Sequence, residues 1–474
     1  MKALLTIAAL RDLELAAHGM DLISRAGSAS ARWLLANTPA DAGFSVLIGP
    51  GNNGQDALVC AQQLQDAGRV VQLRLLPGDP RHDELAARFA MVDHQTDGHW
   101  QQVIVDGLFG IGLNRPPDAA AAALIDAANR VPGLRVALDI PSGLDADHGT
   151  AAKPTFIAAH TLSFLADKPG LYTADGRDHA GQIHTFDLGV SQPLPTSSIH
   201  LIDRRSDLPM LSRQHASHKG SHGCVAIIGG CAGMAGATLL AGRAALHAGA
   251  GKVVLGLLDE GIHVDFGQPE LMLQAPAQVF EQAEADVCVV GPGLGQSAAA
   301  LAWLQQALTV DTPLVIDADG LNLIAQSGAL QQQLHQRQAP TVLTPHPAEA
   351  GRLLQQSTTA IQARRLPSAL QLARQYRCTV LLKGSGTVCS DGEVCSINHS
   401  GNALLANAGQ GDVLSGLLGV LLAQGLPALA AAQLASFSHG RCADLALQAQ
   451  PALLTLPATA VIAQLARILN QPDD

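Results

Sequence analysis

Twice along this chain, short apolar runs end at glycine, proline or aspartate and give way to a helical pattern. The first series covers 44–48, 70–76, 103–109, 135–140 and 161–165. The second covers 225–228, 252–258, 287–290, 314–316, 341–343 and 379–382, followed by a hairpin pattern over 388–397 around Asp391-Gly392. Strands that alternate with helices are best satisfied by a mostly parallel sheet covered on both faces. Between the series, Pro193, Pro195, Thr196, Ser197, Ser198, Arg204, Arg205 and a His/Ser/Lys cluster read as a linker. Two α/β domains are expected, over residues 1–205 and 206–474, both of ordinary domain size.

Charge and composition exclude several classes. The net charge of −11 leaves no basic surplus to displace counterions, so no nucleic-acid partner is expected. Backbone amides can still hold a nucleotide. The 8 cysteines form no CxxC and no zinc-like spacing with histidine, which predicts buried free thiols in a reducing cytoplasm. The most apolar stretch, 417–435, is broken by Gln424, Gly425 and Pro427, so no membrane span is expected. The apolar start, 3–10, runs at once into Arg11, Asp12 and Glu14, unlike a secretory signal.

Open α/β sheets bind ligands at the C-terminal ends of their strands, where this chain keeps its polar loops. The sharpest is Gly409-Gln410-Gly411-Asp412 before an apolar helix. Bare amides at a helix start attract phosphate. A first-turn carboxylate there is placed to take a proton from an attacking hydroxyl. The same pattern also suits a tight turn with a favourable first-turn charge. Lys383, at a strand end before small residues, suits a nucleotide phosphate, with a bound metal to offset charge. There is no GxxxxGK[ST] and no HRD or DFG set, so neither a P-loop nor a protein-kinase site is present. His346 between two prolines is a ligand candidate or a rigid turn residue.

Several ordered motifs now resemble a known family. They include Ile227-Ile228-Gly229-Gly230, Asp317-Ala318-Asp319-Gly320, Thr344-Pro345-His346-Pro347 and Gly409-Gln410-Gly411-Asp412. These resemble the ribokinase-fold NAD(P)H-hydrate dehydratases. Asn52-Asn53-Gly54-Gln55-Asp56, Asp106-Gly107-Leu108-Phe109-Gly110 and Asp139-Ile140-Pro141-Ser142-Gly143 resemble the NAD(P)H-hydrate epimerases of YjeF type. The order matches the bifunctional repair family, which implies an N-terminal Rossmann-like three-layer domain and then a ribokinase-like α/β domain. The implied reaction interconverts R- and S-NAD(P)H-hydrate, then dehydrates the S form with ADP, giving AMP and phosphate. ATP is the alternative donor.

By this resemblance, Lys383, Gly384, Ser385, Gly386, Thr387 and Gly411 would contact the adenine nucleotide. Ala237, Gly295, His346 and Asp412 would contact the hydrated dinucleotide, with Asp412 as base. In the first half, Asn52, Asn53, Gly54, Gln55, Asp56, Gly110, Ile111, Gly112, Leu113, Asn114, Arg115, Pro116 and Asp139 would hold NADH-hydrate or NADPH-hydrate. Asn53, Asp106 and Ser142 would hold K+, and Mg2+ would accompany the nucleotide. Asp139 is the catalytic candidate there and Lys168 a second one, although Lys168 reads more readily as a solvated loop lysine. A homo-oligomer is expected. Gln55 and Ala57 stand where the family usually has glycine, which leaves a dehydratase with a non-catalytic first domain as one alternative. A vitamin-precursor kinase of the same fold is the other.

Overall fold

The computed structural model describes residues 1–92, 99–113, 115–190, 197–282 and 284–471. Its strands are β1 (Lys2–Ala3), β2 (Phe44–Ile48), β3 (Val71–Leu75), β4 (Ala90–Met91), β5 (Val103–Gly107), β6 (Leu134–Leu138), β7 (His160–Phe164), β8 (Gln182–Phe186) and β9 (Ile199–Ile202). They continue as β10 (Cys224–Gly229), β11 (Lys252–Leu257), β12 (Met272–Gln274), β13 (Val287–Val290), β14 (Leu314–Ile316), β15 (Thr341–Leu343), β16 (Thr379–Leu382), β17 (Val388–Ser390) and β18 (Cys395–Asn398). The chain divides into two compact units, Ala3–Ile199 and Met1–Lys2 with His200–Asp474.

The first unit has, among the described residues, a seven-stranded sheet in the order β4-β3-β2-β5-β6-β7-β8, parallel throughout. The order reverses between β2 and β5, so their C-terminal ends open a crevice. Strand β2 is buried at every residue, as a strand covered on both faces must be. Helix Leu22–Asn37 lies close against helix Asn52–Asp66. A Cβ on Gly27 would come within 2.6 Å of the Asp56 carbonyl, so glycine permits the approach.

The second unit's sheet runs β12-β11-β10-β13-β14-β15-β16-β17-β18-β9-β1. It is parallel from β12 to β16 and antiparallel across β16-β17-β18. Helix Gln410–Ala423 buries Val413, Leu414, Leu417, Leu418, Val420 and Leu421. It approaches helix Ala235–His247 through Gly416, where a Cβ would strike the Ala241 carbonyl at 1.9 Å. The expected hairpin is present as β17–β18.

The linker reading needs correction. Pro193, Pro195 and Thr196 lie outside the described residues, but β9 begins at Ile199 and Arg205 is only 2% exposed. Its guanidinium is satisfied by the carbonyls of Leu208, Pro209 and Leu469, which is what makes its burial tolerable. Seven cysteines are buried as expected, while Cys231 is half-buried. Among the described residues no helix is long and apolar enough to cross a membrane.

Candidate active sites

In the first unit, a cavity of about 770 Å³ opens at the β2/β5 crevice. Three successive strand ends reach it through non-glycine residues with positive φ: Asp139 after β6 (63°), Leu165 after β7 (64°) and Leu188 after β8 (54°). The first two are centres of γ-turns of the rare positive-φ kind, closed by Ile140 N–H to Leu138 O at 2.7 Å and Ala166 N–H to Phe164 O at 2.8 Å. Such geometry is costly and persists where the surroundings over-determine it.

At Asp139 those surroundings are ionic. Lys168 Nζ donates to Asp139 Oδ1 at 2.5 Å, to Ser163 Oγ at 2.9 Å and to Phe164 O at 3.0 Å. Lys168 is 1% exposed, so it is a buried ion-pair partner and not a solvated loop lysine. Two further carboxylates face the same cavity. Burial, with the charges of Asp139 and Glu14, pushes Asp56 up to about 8. Burial also raises Glu14, which helix Ile7–Ala16 presents to the cavity together with Arg11. Asp56 therefore favours its protonated form near neutral pH, while Asp139 is paired with Lys168.

Beneath the cavity lies an oxygen-rich cluster. Asp106 accepts from Ser142 N–H at 2.8 Å and Ser142 Oγ at 2.7 Å, and burial pushes it up to about 6. Asn53 Nδ2 donates to Phe109 O at 3.1 Å and Leu138 O at 3.2 Å, but its Oδ1 is buried without a hydrogen-bond partner.

Of the expected substrate residues, Asn52, Asn53, Asp56, Gly110, Ile111, Gly112, Leu113, Arg115 and Asp139 line this cavity. Asn114 lies outside the described residues. Gly54, Gln55 and Pro116 are not part of the wall. Gly54 instead permits close packing, since a Cβ there would strike Gly49 O at 1.9 Å. Gln55 and Ala57 sit in helix Asn52–Asp66 and are not among the positive-φ residues, so neither Cβ is strained. The Ala57 methyl occupies space that Gly107 leaves free.

The second unit gathers charge at the ends of β14, β15 and β16, in a cavity of about 400 Å³. Lys383 Nζ donates to Asp317 Oδ1 at 2.7 Å and lies 4.0 Å from Glu349. Asp317 Oδ2 accepts from Ser415 Oγ at 2.6 Å. Helix Pro347–Leu354 starts with a capping box: His346 Nδ1 accepts from Ala348 and Glu349 N–H, and Glu349 Oε2 accepts from His346 N–H at 2.7 Å. Burial pushes Glu349 up to about 7, against the pull of Lys383. Burial and Asp317 push Asp412 up to about 6.

The helix that carries Asp412 begins at Gly409, whose φ of 87° suits glycine. A Cβ on Gly411 would lie 3.4 Å from Lys383 Nζ, so a bare backbone faces the charged group. His346, Lys383, Gly384, Gly411 and Asp412 meet in this cavity; Ser385, Gly386 and Thr387 do not line it. Ala237 and Gly295 lie at the β10/β13 reversal, where Gly291, Gly293 and Gly295 all have positive φ. Sequence reading left out Asp317, Glu349, Ser415 and Arg365 as site residues. Arg365 is fully buried, and its Nη2 donates to the carbonyls of Leu382, Lys383 and Gly386, each at 3.3 Å, which braces the loop after β16. The histidine–glutamate spacing of the capping box was the available signal for Glu349.

Comparison with known proteins agrees with both units. The family profile of NAD(P)H-hydrate dehydratase matches residues 225–467, and that of the YjeF-related protein N-terminus matches residues 19–170. The bifunctional NAD(P)H-hydrate repair enzyme Nnr of Escherichia coli is 38% identical over 470 residues, 95% of this chain and 89% of its own. That of Coxiella burnetii is 35% identical over 90% of each chain. A solved ribokinase-like superfamily protein from Enterococcus faecalis covers 59% of this chain and 98% of its own, with 25% identity and a TM-score of 0.51. The chain belongs to the family of bifunctional NAD(P)H-hydrate repair enzymes, with an epimerase domain followed by a dehydratase domain.

Proposed function

We propose that residues 1–205 epimerise R- and S-NAD(P)H-hydrate and that residues 206–474 dehydrate the S form with ADP. One observation carries the second assignment: Asp412 stands on the first turn of a glycine-opened helix beside the Lys383–Asp317 pair. In this reading Asp412 takes the proton of the C6 hydroxyl as its oxygen attacks the terminal phosphorus of ADP. The bond to AMP breaks, and Lys383 and the bare amides at 409–411 offset the transferred charge. The ring nitrogen then expels phosphate from C6, and the cation left behind loses a proton from C5 to restore the ring double bond. The products are NAD(P)H, AMP and phosphate. Among the described residues no group of three or more His, Cys, Asp or Glu is placed to hold a metal. Asp317 is already engaged by Lys383 and Ser415, so these residues do not fit Mg2+ as they stand.

In the first domain Asp139 moves the proton at the substrate, held by Lys168. K+ fits the oxygen donors beneath the cavity. The unpartnered Asn53 Oδ1 is the supporting observation, with Ser142 Oγ and Asp106 alongside. Bound there, the ion would supply fixed positive charge under the cavity. The gentle geometry of Gln55 and Ala57 supports an active epimerase over a non-catalytic module.

The test uses separated R- and S-NADH-hydrate and the full chain. With ADP, and separately with ATP, absorbance of regenerated NADH is followed from the S form. Recovery with neither nucleotide refutes the dehydratase reading, and recovery with ATP alone refutes ADP as donor. Without nucleotide, R-hydrate is followed by chromatography; conversion no faster than the spontaneous rate refutes the epimerase reading.

A further inference from the structure

A second cavity of about 680 Å³ adjoins the first-domain site. Asp21 and Leu188 line both, so the two share a wall. One side is a single stripe of helix Leu22–Asn37 and its cap: Asp21, Arg25, Ser28 and Arg32 recur at helical spacing. The other side is the end of β8 and the turn after it, through Gly189. Arg25 Nη1 donates to Leu188 O at 2.8 Å, which pins the shared wall and leaves most of the guanidinium fork free to turn outward. Arg32 is exposed and makes no ion pair among the described residues. The wall also carries two acids, each accepting hydrogen bonds from within it. Asp21 accepts from Ser24 N–H at 3.0 Å and Ser24 Oγ at 2.6 Å, and Asp187 accepts from Gly189 N–H at 2.9 Å.

The substrate is a dinucleotide whose reacting ring belongs at Asp139. The space that adjoins the first cavity offers two arginines, Arg25 and Arg32, to the dinucleotide's other half. From this we infer that the second cavity takes the adenosine end of the hydrated dinucleotide and that Arg32, beside Arg25, reads the 2′-phosphate that separates NADPH-hydrate from NADH-hydrate. The inference rests on the epimerase reading above. Arginine suits a phosphate because its planar fork donates paired hydrogen bonds. Arg32 acts on specificity and touches no reacting atom.

The test is epimerisation of R-NADPH-hydrate and R-NADH-hydrate by the full chain without adenine nucleotide, read by chromatography. Arg32→Ala should lower kcat/KM for NADPH-hydrate about tenfold more than for NADH-hydrate, the scale of one charged hydrogen-bonded contact. The loss should fall on KM, and Arg32→Glu should widen it. Adenosine 2′,5′-bisphosphate should inhibit wild-type epimerisation more strongly than AMP, and Arg32→Glu should abolish that difference. An unchanged NADPH/NADH preference in both variants, with equal inhibition by the two nucleotides, overturns the inference and leaves the epimerase reading intact. If the wild type accelerates neither hydrate, the epimerase reading fails and takes this inference with it.

Discussion

Asp412→Asn should cripple dehydration while making the protein more stable above pH 6. The carboxyl normally titrates near 3.8, and burial with Asp317 pushes it up to about 6. Between those values the folded chain holds a proton that the unfolded chain has released. Stability conferred by the protonated form is therefore lost as pH rises from 3.8 through about 6. The gap is worth at most about 3 kcal/mol at about 1.4 kcal/mol per tenfold in proton affinity. Asp412 is partly exposed, so solvent screening reduces this to roughly 1–2 kcal/mol. Asparagine has the shape of the neutral acid and should recover that amount at pH 8 but little at pH 4.

Denaturant unfolding of both proteins at the two pH values reads the stability term. Dehydration of S-NADH-hydrate reads the chemistry. As a base, Asp412 works only when ionised, so wild-type kcat/KM should fall about tenfold per pH unit below about 6. Asn should cost about 10²–10⁴-fold in rate and remove that limb. A variant no more stable than wild type at pH 8, or a wild-type rate that is flat from pH 7 to 5, would refute the reasoning.

Three other predictions use separate parts of the molecule. Epimerisation should fall in potassium-free choline buffer and return with KCl, and Asn53→Ala should raise the KCl needed about tenfold or more; equal rates in the two buffers exclude the ion. Arg365→Lys keeps the charge but cannot fork to three carbonyls, so the KM for nucleotide should rise more than kcat falls, with Tm recorded alongside; an unchanged KM removes the bracing role. Ala57→Gly should cost about 1 kcal/mol from helix propensity alone and leave R-hydrate epimerisation no faster; a faster variant would mean the methyl obstructs the site.

The central strands could be read from sequence almost to the residue. β2, β13, β14, β15 and β16 begin and end as the apolar runs do, because each is buried on both faces and stops at glycine, aspartate, threonine or lysine. Edge strands escaped. β8 reads Gln-Ile-His-Thr-Phe and keeps exposed positions, and β12 has only three residues, so neither interrupts a polar background. His346, Lys383 and Asp412 were legible because each sits at a strand end or helix start. Asp317's partnership with Ser415 spans 98 positions and exists only once β14 and helix Gln410–Ala423 are packed. Arg365 gave no sequence signal for the same reason: the carbonyls that bury it come from another element. Lys168 misled most, since a loop lysine is ordinarily wet and its three acceptors come together only in the fold.

Both sites follow one electrostatic plan, and the plan assigns roles. Each pairs one buried lysine with one carboxylate, Lys168 with Asp139 and Lys383 with Asp317, and leaves a neighbouring acid uncompensated. Desolvation then falls on the acids left over, Asp56 at about 8 in one site and Glu349 at about 7 with Asp412 at about 6 in the other. Groups pushed apart in this way divide acid from base work. In the first site Asp56 is the member that still holds a proton at neutral pH, so in the proposed epimerisation it can give its own proton to the substrate as Asp139 takes one. It keeps that proton below about 8 and loses it above. Epimerisation should therefore decline as pH rises through about 8, and Asp56→Asn should erase that limb together with most of the rate. Lys168→Met, which strips Asp139 of its partner, should lower the rate without abolishing the alkaline limb. A wild-type profile level from pH 7 to 9.5, or an alkaline limb that survives in Asp56→Asn, would show that the titrating acid is not the one that works.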